Sequence, residues 1–270
     1  MLSAHTKLRF PRLGEVSALA YHGGMSWEQE RVLITGAARR LGRSAAEAFA
    51  ERGAELIIHY HRSADAAAET VRSCRELGVR AAAYGADLSS PGEAEGLIGR
   101  LEEDELLPTI IVNSASLYTK NSLENVRREE LEGDAALTAY APLELCRSFS
   151  RKAESGSIIN VLDARMVDYD RSHLSYHLAK ETLFHLTRIL AVELAPAFRV
   201  NGIAPGIILP PEHTSKESVE KFRRANPLQL VGSPDDFTDA LLFLAGSRFI
   251  TGDVLFVDGG RHLKGRMYGV

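Results

Sequence analysis

The sequence predicts an α/β fold: one doubly wound domain with a seven-stranded parallel sheet and helices on both faces. Three observations predict it. From Arg31 onward, short β-branched runs alternate with long amphipathic stretches, as in βαβ units. The first run leads through a glycine-bearing turn into an alanine-rich stretch. No linker, repeat or low-complexity tract interrupts the alternation from there on.

"RVLIT" (31–35) is the first strand, and the turn "TGAARRLG" (35–42) carries it into a helix over 42–52. "ELIIHY" (55–60) precedes a helix at 65–77, and "RAAAYGAD" (80–87) precedes one at 91–103. "TIIVNS" (109–114) leads to a long helical pattern over 123–152. "SIINVL" (157–162) leads to a helix at 174–195, whose Leu183, Leu186, Leu190 and Leu194 share one face, with Pro196 helping to end it. "RVNGIA" (199–204) and "DVLFVDG" (253–259) are the last strands, with a helix at 234–246 between them. The least regular segment, 206–234, comes after the sixth strand and is expected to lie over the ligand crevice as a substrate loop. The domain is assigned to 31–270, and residues 1–30 read as a flexible N-terminal extension or an early start site rather than a targeting peptide.

Composition excludes several function classes. With 32 basic and 36 acidic residues the net charge is −4, and the basic residues are scattered rather than massed, so no nucleic-acid partner is expected. No apolar run approaches the roughly 20 residues that span a bilayer, so no membrane partner is expected either. Cys74 and Cys146 lie far apart without zinc-like spacing, so both read as free thiols of a reducing compartment. The expectation is a soluble, cytoplasmic protein without a metal.

The first turn places Gly36 and Gly42 between a strand and a helix N-terminus, where unpaired backbone N–H groups and the helix dipole favour phosphate. The second strand distinguishes the dinucleotides, because a free ribose meets an acid there and a 2′-phosphate meets a cation. Here the strand ends "HYHRSAD": Arg62 stands where the acid would be, with His59, His61 and Ser63 beside it and Arg39 in the first turn. That favours NADPH/NADP+ over a merely solvated basic turn, with Asp65 left to cap the next helix. Asp87 in "GADLS" either accepts from the adenine amino group or caps the following helix.

Tyr176 and Lys180 lie four apart on the helix after the fifth strand, on one face. A phenol titrates near ~10, and an ammonium beside it is expected to lower that value, which suits a proton donor to an atom receiving hydride. His173, His177 and His185 read as packing or surface residues.

Taken together, "TGAARRLG", "ADL", "VNSAS", "YHLAK", "NGIAPG" and "ITGDVLFVDGG", in that order across about 31–262, resemble the short-chain dehydrogenase/reductase family. The resemblance implies a Rossmann-type NAD(P)-dependent enzyme, a homotetramer or homodimer, with Tyr176 and Lys180 catalytic and Lys180 also holding the nicotinamide ribose. By position it also assigns Leu41, Leu88, Asn113, Ala115, Pro205 and Gly206 to the cofactor.

Three positions depart from the family's usual pattern: Asp163 stands in place of a serine thirteen residues before the tyrosine, Arg40 replaces the middle glycine of the first turn, and Thr138 aligns with a catalytic asparagine. The first two departures, with "HYHRSA" and "NVLDA", resemble the pteridine reductases; the arginine also resembles dihydromonapterin reductases. The implied chemistry is NADPH-dependent reduction of a pterin by Asp163, Tyr176 and Lys180. Ser116, Tyr118 and Arg40 would bind the flat substrate, Arg40 reaching both cofactor and pterin. Two alternatives stay open: a short-chain reductase of another carbonyl compound, such as a 3-oxoacyl thioester or a sugar, or a dinucleotide or pterin sensor without turnover. Asp163 would then be structural.

Overall fold

The computed structural model of the chain describes residues 27–168, 170–210 and 214–266. Seven strands form one sheet: β1 (Arg31–Ile34), β2 (Glu55–Tyr60), β3 (Ala81–Gly85), β4 (Ile110–Asn113), β5 (Gly156–Val161), β6 (Phe198–Pro205) and β7 (Val254–Val257). All pair in parallel, in the order β3-β2-β1-β4-β5-β6-β7. Every strand expected from the β-branched runs is present, several shorter by a residue or two at their ends.

Alternation along the strands divides the core. Val32 and Ile34 point to one face and pack with Phe49, Leu56, Ile58, Phe237 and Leu241. That layer contains α1 (Arg40–Ala50), α2 (Ala64–Glu76) and α8 (Pro234–Gly246). Leu33 and Ile57 point the other way, against Leu97, Leu101, Leu145, Phe149 and Leu190 of α3 (Glu93–Glu103), α5 (Ala141–Lys152) and α6 (Leu174–Glu193). The predicted leucine face of α6 is buried as expected: Leu186, Leu190 and Leu194 join this second layer, and Leu183 packs with Leu162, Met166 and Ala204.

Three expectations are corrected. The stretch 123–152 is not one helix: α4 (Arg128–Ala135) and α5 are joined by a π-helical turn, Ala136–Tyr140. Pro142 marks the restart, because a residue without an N–H fits a helix only at its first turn. The irregular 206–234 segment contains α7 (Lys216–Arg224), capped by Ser215 Oγ accepting from the Ser218 N–H at 3.2 Å. Its few apolar residues hide it, although the i,i+4 pairs Glu217–Lys221 and Glu220–Arg224 are a helix signal. Finally, the packed chain begins before Arg31: Trp27 is buried edge-on against Phe49, and the Glu30 carbonyl accepts from the Glu55 N–H. The remainder of the expected extension, 1–26, lies outside the described residues.

Strand order reverses between β1 and β4, so the loops at their carboxyl ends diverge and leave a crevice.

Candidate active site

A cleft of about 820 Å³ opens at that reversal, lined by the first turn, the loops after β4, β5 and β6, α6 and α7. The first turn is built around close approach. Gly36 has φ +67°, and a Cβ there would lie 2.9 Å from Ala115 Cα; a Cβ on Gly42 would lie 2.5 Å from the Gly36 carbonyl oxygen. The glycines therefore let α1 start against the strand and let the β4 loop close over it. Thr35, the first residue of the turn motif, holds that loop: its Oγ1 accepts from the N–H groups of Ser114 and Ala115 at 2.9 and 3.0 Å.

Arg40 has φ +53°, in the left-handed region. That is why glycine is usual at this position, and an arginine there bears roughly 1–2 kcal/mol of backbone strain. Its Nη2 donates to the Leu209 carbonyl at 2.7 Å, so the guanidinium spans the cleft from the first turn to the loop after β6.

No side chain caps α1, and its first turn carries no acidic residue. An anion at its N-terminus would meet both N–H donors and the positive end of the dipole. Arg39 and Arg62 are exposed and have no ion pair among the described residues, and Ser63 makes no side-chain cap to α2. A pyrophosphate at the turn and a 2′-phosphate beside β2 fit this set. Asp87 caps its own turn, its carboxylate accepting from the N–H and Oγ of Ser89 and from Ser90 Oγ, with His61 Nε2 at 3.8 Å. These hydrogen bonds hold the carboxyl below the usual aspartate range.

In the sequence His59 is only a neighbour of Arg62, and its place in the fold is different. It is buried, its Nδ1 accepts from the Gly36 N–H at 3.2 Å, and its Nε2 lies 3.1 Å from the Ala86 carbonyl. These partners require a neutral ring protonated on Nε2, and burial lowers its titration to about 4. The unfolded chain takes up this proton near 6.5 and the folded one only near 4, so stability is lost as pH falls across that window. Denaturant titrations from pH 6.5 to 4 should show His59→Asn, which keeps an acceptor for Gly36, with a shallower loss than wild type; equal slopes would remove His59 from the effect.

At the other end of the cleft, Tyr176 Oη donates to Asp163 Oδ2 at 2.8 Å, while Asp163 Oδ1 accepts from the Arg165 N–H at 2.7 Å. Lys180 is buried, donates from Nζ to the Val161 carbonyl at 2.6 Å and lies 5.7 Å from the Tyr176 ring centroid. Burial lowers Lys180 to about 8. The expected acidification of Tyr176 is reversed: burial, then the Asp163 charge and hydrogen bond, push the phenol well above its usual range. The ammonium is turned to a carbonyl, and the carboxylate sits closer to the hydroxyl.

Tyr118 stands at the rim, 54% exposed. His173, expected only to pack, stacks on it at 3.9 Å and 18°, and Tyr176 meets it edge-on at 4.9 Å. Ser116 Oγ lies 3.2 Å from Thr138 Oγ1, within the π-turn. Such turns recur at functional sites. Behind the rim, buried Asp134 accepts from Thr119 Oγ1 at 2.9 Å and from Ser175 Oγ at 2.5 Å, joining the β4 loop and α4 to the residue before Tyr176.

Of the sequence-predicted residues, Gly36, Arg39, Arg40, Leu41, Gly42, Ala115, Ser116, Tyr118, Asp163, Tyr176, Lys180, Pro205 and Gly206 line the cleft. His61, Arg62, Ser63 and Asp87 lie beyond it, following β2 and β3, whereas Leu88 and Asn113 are buried, Asn113 donating to Asn160 Oδ1 at 2.8 Å. Arg165 also lines the cleft, and no sequence motif marks it.

A family model described as enoyl-(acyl carrier protein) reductase matches residues 36–262, from the first turn to past the last strand. The chain belongs to this family of short-chain dehydrogenases/reductases. This short-chain dehydrogenase/reductase is 30% identical over 285 residues to pteridine reductase 1 of Leishmania tarentolae, covering 86% of this chain and 96% of the relative. Its structure is similar to that of FolM alternative dihydrofolate reductase 1 from Brucella canis complexed with NADP, at 29% identity and TM-score 0.83, covering 91% and 97% of the two chains. It is also similar to the angucycline C-6 ketoreductase LanV with bound NADP, at 30% identity and TM-score 0.80, covering 88% and 97%. Among the described residues no helix is long and apolar enough to cross a membrane.

Proposed function

We propose that this short-chain dehydrogenase/reductase is an NADPH-dependent reductase that transfers hydride to a pterin ring, such as a dihydropterin or a dihydrofolate-like ring. One observation carries the reading: the 2.8 Å hydrogen bond from Tyr176 to the Asp163 carboxylate, in the cleft that Tyr118 borders. Similarity alone does not choose between a pterin and a ketone, because FolM and LanV resemble the chain to the same degree. The donor set favours the pterin. A ketone oxygen needs hydrogen-bond donors, and a carboxylate held beside an arginine is an acceptor. A pterin presents ring N–H groups as well as the C=N bond to be reduced, so an acceptor and a phenol at one site both find partners.

NADPH bound along the first turn would supply the hydride. Tyr176 gives its proton to the ring nitrogen that gains the electron pair, and a proton taken up from solvent by the Asp163 carboxylate restores the phenol. Lys180 and the Val161 carbonyl keep α6 seated against the end of β5. Tyr118 supports the face of the ring turned away from the nicotinamide. The enzyme works in the cytoplasm as a homotetramer or homodimer in this reading. The exposed Leu178, Ile189 and Val192 on α6 supply apolar surface for such an assembly.

The second reading, reduction of another carbonyl compound, draws on the LanV similarity. NADPH consumption by purified protein with dihydrobiopterin, dihydromonapterin, dihydrofolate, acetoacetyl thioester and an aromatic polyketide ketone separates the two. Turnover of a pterin is expected; turnover confined to the thioester or the ketone would overturn the assignment. No oxidation of NADPH with any of them would leave a sensor.

A further inference from the structure

We propose that Arg165 is the positioning residue of the substrate end of the cleft: it holds the Tyr118 ring and the Asp163 carboxylate in one fixed arrangement and thereby sets the fit for a flat, nitrogen-bearing ring. The proposal rests on the pterin reading.

Arg165 lies in a short 3₁₀ turn, Ala164–Val167, directly after Asp163. Its guanidinium joins three separate segments. Nη1 donates to Asp170 Oδ2 at 2.6 Å, ahead of α6; Nη2 donates to Tyr118 Oη at 2.6 Å, in the loop after β4; and Nε lies 3.4 Å from Asp163 Oδ1, at the end of β5. The guanidinium carbon is 5.3 Å from the Tyr118 ring centroid. Burial works against its charge, but Asp163, Tyr118 and Asp170 more than offset this and keep it a cation.

Tyr118 needs such a hold. The ring is more than half exposed and lies outside the three core clusters. His173 stacks on one face, Tyr176 packs against the ring at 87° and Arg165 holds the hydroxyl, while the ring keeps exposed surface in the cleft wall. A rim aromatic that must be ordered only when substrate arrives costs affinity, and prior ordering removes that cost. The planar fork does this with several donors at once, which an ammonium cannot. The charges also bear on substrate choice: the Arg165 cation faces two carboxylates, Asp163 and Asp170, with Asp168 3.8 Å from Arg261 nearby. Ring N–H donors find an acceptor in the Asp163 carboxylate, which the arginine holds at the cleft wall.

The test is steady-state kinetics of wild type, Arg165→Met, Arg165→Lys, Tyr118→Phe and the Arg165→Met/Tyr118→Phe double variant, with NADPH affinity and Tm measured alongside. Arg165→Met is expected to raise KM for the pterin about 10-fold or more, the scale of a lost charge-assisted hydrogen bond. It should leave NADPH affinity within about 2-fold, because Arg165 lies at the opposite end of the cleft from the phosphate turn. Arg165→Lys should recover only part of the loss. Tyr118→Phe, which keeps the ring and removes the hydroxyl, should raise KM in the same direction, and the double variant should be little worse than Arg165→Met alone. An unchanged KM in a folded Arg165→Met, additive losses in the double variant, or NADPH affinity falling in step with pterin affinity would overturn the proposal. Absence of pterin turnover by wild type would defeat the pterin reading instead. The same comparison on whichever flat ketone wild type reduces would then decide the role of Arg165 separately.

Discussion

Tyr176→Phe is expected to lower turnover by at least about 100-fold, the lower range for a positioned proton donor, while NADPH still binds with near wild-type affinity. The phenol hydroxyl is held between Asp163 and the cleft, and phenylalanine keeps the ring that meets Tyr118 edge-on. The loss should therefore appear in kcat rather than in the cofactor's dissociation constant. Burial and Asp163 push this phenol well above its usual range, so it holds its proton at neutral pH. Stopped-flow binding of NADPH with steady-state turnover of the variant separates the two quantities. Turnover within a few-fold of wild type would take Tyr176 out of the proton path.

Arg62→Ala is expected to weaken NADPH by about 10- to 100-fold and NADH by no more than about 2-fold, the scale of a charge-assisted hydrogen bond to a phosphate. Arg62 comes just after β2, is exposed and forms no ion pair among the described residues, so its guanidinium has no competing partner to release. Ser63 beside it leaves its hydroxyl uncommitted to α2, and Arg39 stands at the N-cap of α1. Only the 2′-phosphate distinguishes the two cofactors, which makes the ratio of the two losses more informative than either. Fluorescence titration with NADPH and NADH reads that ratio, and equal losses would refute the phosphate assignment.

Much of the sheet is legible in the sequence because period and composition agree residue by residue. Val32, Leu33 and Ile34 alternate between two covered faces, and the central strands β4 and β5 have the same short, doubly apolar character. The glycine turn is legible for a steric reason, since Gly36 and Gly42 sit where a Cβ would strike backbone. Helix α7 is not, because "KESVEKFRR" has only two apolar residues, Val219 and Phe222; a serine cap and exposed i,i+4 ion pairs are what mark it. The π-turn within 123–152 is marked only by Pro142, and a proline can end, start or kink a helix.

The site divides in a similar way. Asp163, Tyr176 and Lys180 stand out because they are close in sequence and fall on adjoining elements. The role of Arg165 depends on Tyr118, 47 residues away, and on a loop whose course no local pattern specifies. His59 is visible as a residue but not as a pin, since its partners Gly36 and Ala86 come together only when β1, β2 and β3 are side by side. The direction of the Tyr176 shift is hidden for the same kind of reason. Spacing places Lys180 near the phenol, yet its ammonium turns to the Val161 carbonyl, and a carboxylate takes the hydroxyl.

A crystal structure of the protein with NADPH and a pterin analogue that is not reduced, such as methotrexate, tests the pterin assignment most directly. The pteridine ring is expected between the nicotinamide and Tyr118, with ring nitrogens within hydrogen-bond distance of Asp163 and Tyr176. A cleft that holds NADPH while the analogue is absent, or is bound away from Asp163 and Tyr118, would contradict it.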